Sequence, residues 1–529
     1  MQNPGQSIRT VPALLDFCEA QYGPRDILRW REGEEVQGAA YAHFVREARA
    51  LAAALASQTE PGAKIAITGE NSYHWLLCWF AVLCAGRVAV PLDPLLPAAD
   101  LLALLEKSGA SLLFCPASFK DVAASFGRAV FMQDVPALLA PFNGAAGWPC
   151  EAQGDVLAAI MFTSGTTGQP KGVMLSHWNL ISNALSACRC LDLAGHQVLV
   201  VLPLHHIASL NTGMLTQLPG GCTLCLCSIR HFSKDLVAYQ PVYGMVVPLL
   251  VERMYQQIWD EAKKQKKDKL LRVLLACSDG FLKLGIDLRR KLFKSVLAAF
   301  GGKMEWMCCG GAAISDEYVR GFLRFGIEVL PAYGITECAP GVASTQRGAY
   351  RTDSGGTVID CNEVKIVEGE IYVKGDNVSC GYYQDEAATR EGFTEDGWHK
   401  TGDLGVLGAD NYLYITGRKK NLIILSNGKN VSPEGLELKL TDIPYVKEAL
   451  VYQDGDKIAA ELFLDDEVPD AAARLEGDLL ALNRQLPTYQ RITKTALRDT
   501  EFPKTTTKKI IRKRDLAHDG TGATGKASA

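Results

Sequence analysis

The residues best suited to chemistry crowd together in the segment IMFTSGTTGQPKGVMLSH, positions 160–177. An apolar run there passes into Thr163, Ser164, Gly165, Thr166, Thr167, Gly168 and Lys171. Glycines let successive backbone N–H groups converge on one concavity, the hydroxyls add donors, and Lys171 brings positive charge. Such a loop suits the β- and γ-phosphates of ATP. The plain alternative is a surface turn, in which this set of hydroxyls, glycines and a lysine directly after a buried strand would be wasteful. The spacing from Gly165 to Lys171 is not that of a G-x-x-x-x-G-K loop. That pattern does occur at Gly520–Lys526, but Ala527 stands where a magnesium-binding hydroxyl is needed and no strand precedes it.

Four further groups carry side chains with a chemical use. Glu337, at the end of YGITE (333–337), offers hard carboxylate oxygens to magnesium. Tyr333 offers a flat face against which adenine can stack. Bare backbone at Gly310, Gly311 and Ala312, in CGGAAIS, lets main-chain groups approach a base. Packing for the tyrosine and a turn for the glycines are the competing readings. Asp403, in TGDLG (401–405), is an acceptor-only side chain that could hold both ribose hydroxyls, with a solvated salt bridge as its alternative. Lys509, in FPKTTTKKI (502–510), is a long flexible cation able to reach charge developing on a phosphate, or else part of a solvated basic terminus with Arg512, Lys513 and Arg514.

Elements able to position these groups are legible in the hydrophobic pattern. From Ile65, short apolar runs alternate with amphipathic stretches: KIAITG, HWLLCWFAVLCAG, RVAVPLD, ADLLALLEKSG, ASLLFCP. This β-α-β rhythm implies a mostly parallel sheet covered by helices, and it returns at LVVLPL, TLCLCS, YGMVVP and RVLLACS. From Glu363 to Tyr414 short strands and turns take over. A compact stretch of strands and helices then runs to about Asp515, ahead of a low-complexity tail. The expected fold is mixed α/β: a large N-terminal domain of two parallel-rich sheets with helices and a small β subdomain, followed by a small, mobile α+β C-terminal domain. Expected boundaries are 1–417 (β-rich part about 355–417), 418–517 for the lid, and 518–529 for a disordered tail.

Taken in order, the 160–177 loop, CGGAAIS, YGITE, TGDLG, GRKKN (417–421) and FPKTTTKKI make the chain resemble the adenylate-forming superfamily of acyl-CoA synthetases, luciferases and adenylation domains. The resemblance covers about residues 8–515 and is far more specific in its ordered series than in any one motif. It implies that Thr163 shares a magnesium ion with Glu337, that Gly334 and Thr336 belong with Tyr333 to the nucleotide site, and that Arg418 helps Asp403 hold the ribose. It places His206, in PLHHIA, at the mouth of an acyl pocket, where a core histidine or confusion with His205 is the alternative. Lys420 matches a hinge, Gly428 the glycine beside which pantetheine threads, and Lys509 the lysine that neutralises the α-phosphate. Asn421, Ile424 and Lys508 depart from the usual pattern of the family.

The implied activity consumes ATP with Mg2+, forms an acyl-adenylate from a carboxylic acid and passes the acyl group to coenzyme A. A carrier protein in trans is the alternative acceptor, and a non-catalytic acyl-adenylate binder a third reading. The stretch from Pro248 to Gly311 is similar to long-chain fatty acyl-CoA synthetases, which implies an apolar tunnel and a medium- to long-chain fatty acid.

Bulk properties agree with a globular enzyme. With 48% apolar and 22% charged residues and a net charge of -4, neither a disordered chain nor a nucleic-acid coat is expected. The apolar run from Trp75 to Ala85 is too short to span a bilayer, no secretory signal is visible, and a cytoplasmic home follows. EAKKQKKDKLLR is read as a basic solvated helix or loop, with peripheral membrane contact at most. Sixteen cysteines, many in apolar runs, read as reduced thiols, and C-x-x-C at Cys222–Cys225 reads as strand rather than metal site. Oligomeric state is left open.

Overall fold

The computed structural model describes residues 8–163, 170–191, 193, 195–349, 351–426, 428–504 and 510–512. The chain forms two compact units, Met1–Lys419 and Lys420–Ala529.

The alternating pattern that begins at Ile65 becomes a six-stranded sheet. Its order is Ala129–Phe131, Ala110–Cys115, Lys64–Thr68, Val88–Leu92, Leu157–Thr163, Lys171–Ser176. Neighbours run parallel except for the last pair, an antiparallel hairpin. Parallel neighbours need long crossovers, and helices supply them. The helix Tyr73–Cys84 is buried at every position but His74, in keeping with a sequence that is otherwise apolar all round. Ser72 caps its start by accepting from the Trp75 N–H at 3.2 Å.

A second sheet of nine strands has the order Thr357–Val358, Gly341–Ser344, Glu328–Gly334, Trp306–Cys309, Tyr243–Val246, Gln197–Val200, Thr223–Leu226, Asp26–Glu32, Glu35–Ala40. The six strands from Glu328–Gly334 to Asp26–Glu32 are mutually parallel. Cys222, Cys225 and Cys227 are buried in and beside the Thr223–Leu226 strand, and every described cysteine is a free thiol. A third, antiparallel sheet follows: Asn362–Val367, Glu370–Gly375, His399–Leu407, Leu413–Arg418.

One helix ties the first sheet to the third. His177–Cys190 begins with a capping box: the Asn179 N–H donates to Ser176 Oγ at 3.1 Å and the Ser176 N–H to Asn179 Oδ1 at 2.9 Å. Asn179 Nδ2 then donates to the carbonyls of Asp376 and Val378, and Asn183 Nδ2 to that of Gly341. These buried amides hold the hairpin of the 160–177 segment against the chain that carries Glu337.

The second unit has a core of its own, including Leu436, Leu440, Tyr445, Val451, Leu462 and Leu475. Val446–Asp454 pairs antiparallel with Lys457–Leu464, which pairs parallel with Ile492–Arg498; helix Ala471–Gln485 lies between the parallel strands in sequence. Mixed α/β architecture with a large first and a small second unit is therefore what forms. No described helix is long and apolar enough to cross a membrane.

His177, buried at 1% exposure, accepts from the Val11 N–H through Nδ1 at 3.3 Å. Burial lowers its pKa from 6.5 to about 4. Between those values the unfolded chain takes up a proton that the folded chain refuses, so stability falls as pH drops from 6.5 towards 4. The contribution is about 3 kcal/mol. His177→Gln is expected to flatten that part of the stability–pH curve, measured as urea midpoints across the window.

Candidate active site

Parallel strands deliver their carboxyl ends to one edge, where ligands of open α/β sheets bind. Several of the expected site residues lie there. Gly310, Gly311 and Ala312 follow Trp306–Cys309; Tyr333 and Gly334 end the neighbouring strand Glu328–Gly334; His206 lies in the loop after Gln197–Val200. Gly310 is buried, its N–H donating to the Val246 carbonyl at 3.2 Å, whereas Gly311 (φ +90°) and Ala312 are exposed. The left-handed backbone at Gly311 turns the chain away from the sheet.

Tyr333, Asp403 and Arg418 form one hydrogen-bonded chain. The Tyr333 hydroxyl donates to Asp403 Oδ2 at 2.7 Å, and Arg418 Nε lies 2.7 Å from Oδ1. Asp403 and Arg418 face each other across antiparallel strands, so the pairing is set by register. Asp403 is 3% exposed; the Arg418 side chain is 41% exposed. Burial, then the carboxylate, pushes the Tyr333 phenol pKa well up, so it stays a donor. Tyr333 is thus held by its oxygen, with its ring fixed rather than free to rotate away.

A second cluster surrounds Glu337. Tyr382 donates to Glu337 Oε1 at 2.8 Å, and Lys171 Nζ sits 5.0 Å from the centre of the Tyr382 ring. Thr163 pairs with Lys171 across the hairpin, its hydroxyl donating to the Lys171 carbonyl at 3.5 Å. Lys107 Nζ donates to the Pro170 carbonyl at 2.6 Å, anchoring the far side of the loop. Glu337 Oε2 accepts no hydrogen bond among the described residues, which leaves a hard oxygen for a cation. Thr336 lies in the same turn, its carbonyl accepting from the Ala339 N–H at 3.2 Å.

His206 stacks at a tilt on His205, ring centres 4.2 Å apart. His205 Nε2 is 3.6 Å from Asp93 Oδ2, and both side chains are nearly buried. Burial lowers the His205 pKa against the opposing pull of Asp93. Asn71 clamps this loop, donating to the Leu202 carbonyl and accepting from the Leu204 N–H, both at 2.9 Å.

Lys420 and Gly428 belong to the second unit, where Gly428 (φ +76°) turns the hairpin between Ile423–Ile424 and Asn430–Val431. Ser164, Gly165, Thr166, Thr167, Gly168 and Lys509 lie outside the described residues.

This geometry has a counterpart in sequence. Residues 19–383 match the AMP-binding enzyme family, and residues 420–518 match the AMP-binding enzyme C-terminal domain. The chain belongs to the AMP-binding enzyme family. Its relatives include the long-chain-fatty-acid–CoA ligase FadD15 of Mycobacterium bovis, 30% identical over 468 residues, covering 80% of this chain and 77% of that protein. Long-chain-fatty-acid–CoA ligase 1 of Cavia porcellus is 31% identical over 478 residues, covering 78% of this chain and 66% of that one. The fold is also that of ATP-bound MatB from Rhodopseudomonas palustris, with TM-score 0.78, 24% identity and coverage of 94% and 96%. The anthranilate CoA ligase AuaEII in complex with anthranoyl-AMP has TM-score 0.79, 17% identity and 95% coverage of both chains.

Sequence reasoning missed three residues that adjoin these clusters. Tyr382 reaches Glu337 because residues 379–383 run beside the hairpin, bridging at Val173; the aromatic pair after Gly381 was the available signal. His399 is buried, donates through Nδ1 to the Gly392 carbonyl at 3.0 Å, and has its pKa lowered by burial against the pull of Glu337 and Asp403. Asp93 is the third, joined to His205 only where two sheet edges meet.

A Cβ on Gly334 would lie 2.3 Å from the Pro340 carbonyl oxygen. Gly334→Ala is therefore expected to push the 335–340 turn outward and cost about 1–3 kcal/mol, measured as a lower melting temperature. An unchanged melting temperature would contradict the close approach.

Proposed function

We propose that this enzyme is an AMP-forming acid–thiol ligase that activates a carboxylic acid with ATP and Mg2+ and transfers the acyl group to coenzyme A. The observation that carries the reading is the Tyr333–Asp403–Arg418 chain, with Glu337 four residues beyond Tyr333 and linked through Tyr382 to Lys171. An aromatic face with a buried carboxylate suits a nucleoside, and a lysine with a hard carboxylate suits its phosphates with their cation. The acid is proposed to be a medium- to long-chain fatty acid, supported by the names of relatives that align over four fifths of the chain.

In the first half-reaction a carboxylate oxygen of the acid bonds to the α-phosphorus as the bond to the bridging oxygen breaks, and pyrophosphate leaves with that electron pair. Asp403 orients the nucleotide through its ribose, with Arg418 paired to its carboxylate. Tyr333 packs against adenine beside the bare backbone of Gly310, Gly311 and Ala312. Lys171 and the loop Thr163–Gly168 grip the β- and γ-phosphates, and Lys509 neutralises the α-phosphate and the incoming carboxylate. Glu337 and Thr163 would hold magnesium, which would supply charge neutralisation on the phosphates. In the second half-reaction the CoA sulfur attacks the acyl carbon, AMP leaves with the anhydride oxygen, and the thiol proton passes to solvent. His206 stands at the acyl mouth, steadied by His205 and Asp93; Lys420 serves as hinge, and Gly428 lines the pantetheine path.

The test is incubation with ATP, Mg2+ and a panel of fatty and aryl acids, reading pyrophosphate and thioester with and without CoA. Pyrophosphate and acyl-CoA with fatty acids are expected. Adenylate without thioester would favour a carrier protein as acceptor, and no pyrophosphate with any acid would overturn the reading. Asp403→Asn should raise the KM for ATP about 10- to 100-fold, the loss of a buried charged acceptor. Lys509→Ala should impair adenylate formation far more than thioester formation from supplied acyl-adenylate; equal losses would remove the role given to it.

A further inference from the structure

The helix Asp268–Lys283 carries two apolar faces. Leu271, Leu275 and Ser278 are buried, and the two leucines pack with Phe293 and Phe325 into a small cluster that also touches the neighbouring helix Pro248–Lys264. The rotation of the helix is fixed from both flanks: Arg324 Nη2 lies 2.7 Å from Asp279 Oδ2, and the Arg272 guanidinium stacks 5.0 Å from the Trp259 ring centre. With that register locked, Leu270, Val273, Cys277, Phe281 and Leu284 fall at intervals of three and four residues along a single outward stripe. Four of them are large and exposed, Leu270 at 54%, Val273 at 58%, Phe281 at 41% and Leu284 at 76%. Leu282 and Ile286 are exposed beside them. Turning the helix to hide this stripe would bring Leu271 and Leu275 into water, so the fold cannot bury both faces.

The charges at the ends of the stripe identify what covers it. Residues 263–269, KKQKKDK, hold five lysines and one aspartate in a chain whose net charge is -4. Lys283 stands in the last turn of the helix, and Lys291 and Lys294 follow in sequence, all exposed. An apolar strip bracketed by lysines matches the boundary between anionic headgroups and acyl chains, with the lysine stems lying along the apolar layer and their ammonium groups among phosphates. A second copy of the chain would make a poorer partner, because a two-fold contact through this stripe sets the two lysine clusters against each other or leaves them unpaired. No described helix is long enough to cross a bilayer, so the seat is interfacial.

We propose that the 263–286 segment is a peripheral docking surface for anionic phospholipid, with the Leu270–Val273–Phe281–Leu284 stripe inserted at the headgroup boundary. The proposal is independent of the acid that the enzyme activates.

The test is cosedimentation of the full chain with phosphatidylcholine vesicles with and without phosphatidylserine, at low and at raised salt. Expected are binding that requires phosphatidylserine and weakens with salt, and a loss of about tenfold or more in the double variant Phe281→Glu with Leu284→Glu. Both side chains are exposed, so the variant should melt as the parent does; should its melting temperature fall, Leu284→Ser alone supplies the same comparison. Absence of binding to the anionic vesicles, or equal binding by parent and variant, would overturn the proposal. So would sedimentation equilibrium showing, without lipid, a dimer that the variants abolish.

Discussion

A buried carboxylate is tolerable only when its charge is met, and Asp403 is met from two sides. At 3% exposure it takes a hydroxyl from Tyr333 and a guanidinium from Arg418, each at 2.7 Å. The three side chains come from two different sheets. Their meeting therefore requires the strand Glu328–Gly334 to end against the His399–Leu407 and Leu413–Arg418 pair. Once that junction is made, the aromatic ring, the acceptor and the cation have fixed places without any ligand to arrange them.

The same junction explains how Glu337, Tyr382 and Lys171 are brought in. The turn after Tyr333 carries Glu337 four residues on, and Tyr382 binds it to the hairpin that ends in Lys171. Helix His177–Cys190 locks that hairpin through Asn179 and Asn183, polar residues that would be misplaced in a core but for the carbonyls they satisfy. His399 lies within the electrostatic reach of both Glu337 and Asp403, and burial keeps it a neutral donor towards Gly392. Catalytic geometry and structural stability thus rest on one set of buried polar contacts.

Much of this was legible beforehand, for reasons of locality. Periodicity exposed the parallel strands and the almost wholly buried helix Tyr73–Cys84, because burial on all sides leaves an unbroken apolar run. Glu337 and Asp403 stood out as acids in short, small-residue motifs. Contacts between residues far apart in sequence were not legible. Tyr382 is 45 residues from Glu337, and nothing local ties them. Asp93 and His205 sit on loops of different sheets. The stretch EAKKQKKDKLLR (261–272) was read by its lysines as a basic solvated helix or loop with peripheral membrane contact at most, although Leu270, Val273, Cys277, Phe281 and Leu284 recur at intervals of three and four; only the burial of Leu271 and Leu275 shows which of two apolar stripes the fold uses.

The measurement that bears most directly on the central claim is a crystal structure with a non-hydrolysable acyl-adenylate analogue. The account predicts both ribose hydroxyls within about 2.6–3.2 Å of Asp403 and adenine against the Tyr333 ring. An analogue bound elsewhere, with the Tyr333–Asp403–Arg418 chain left facing solvent, would contradict it.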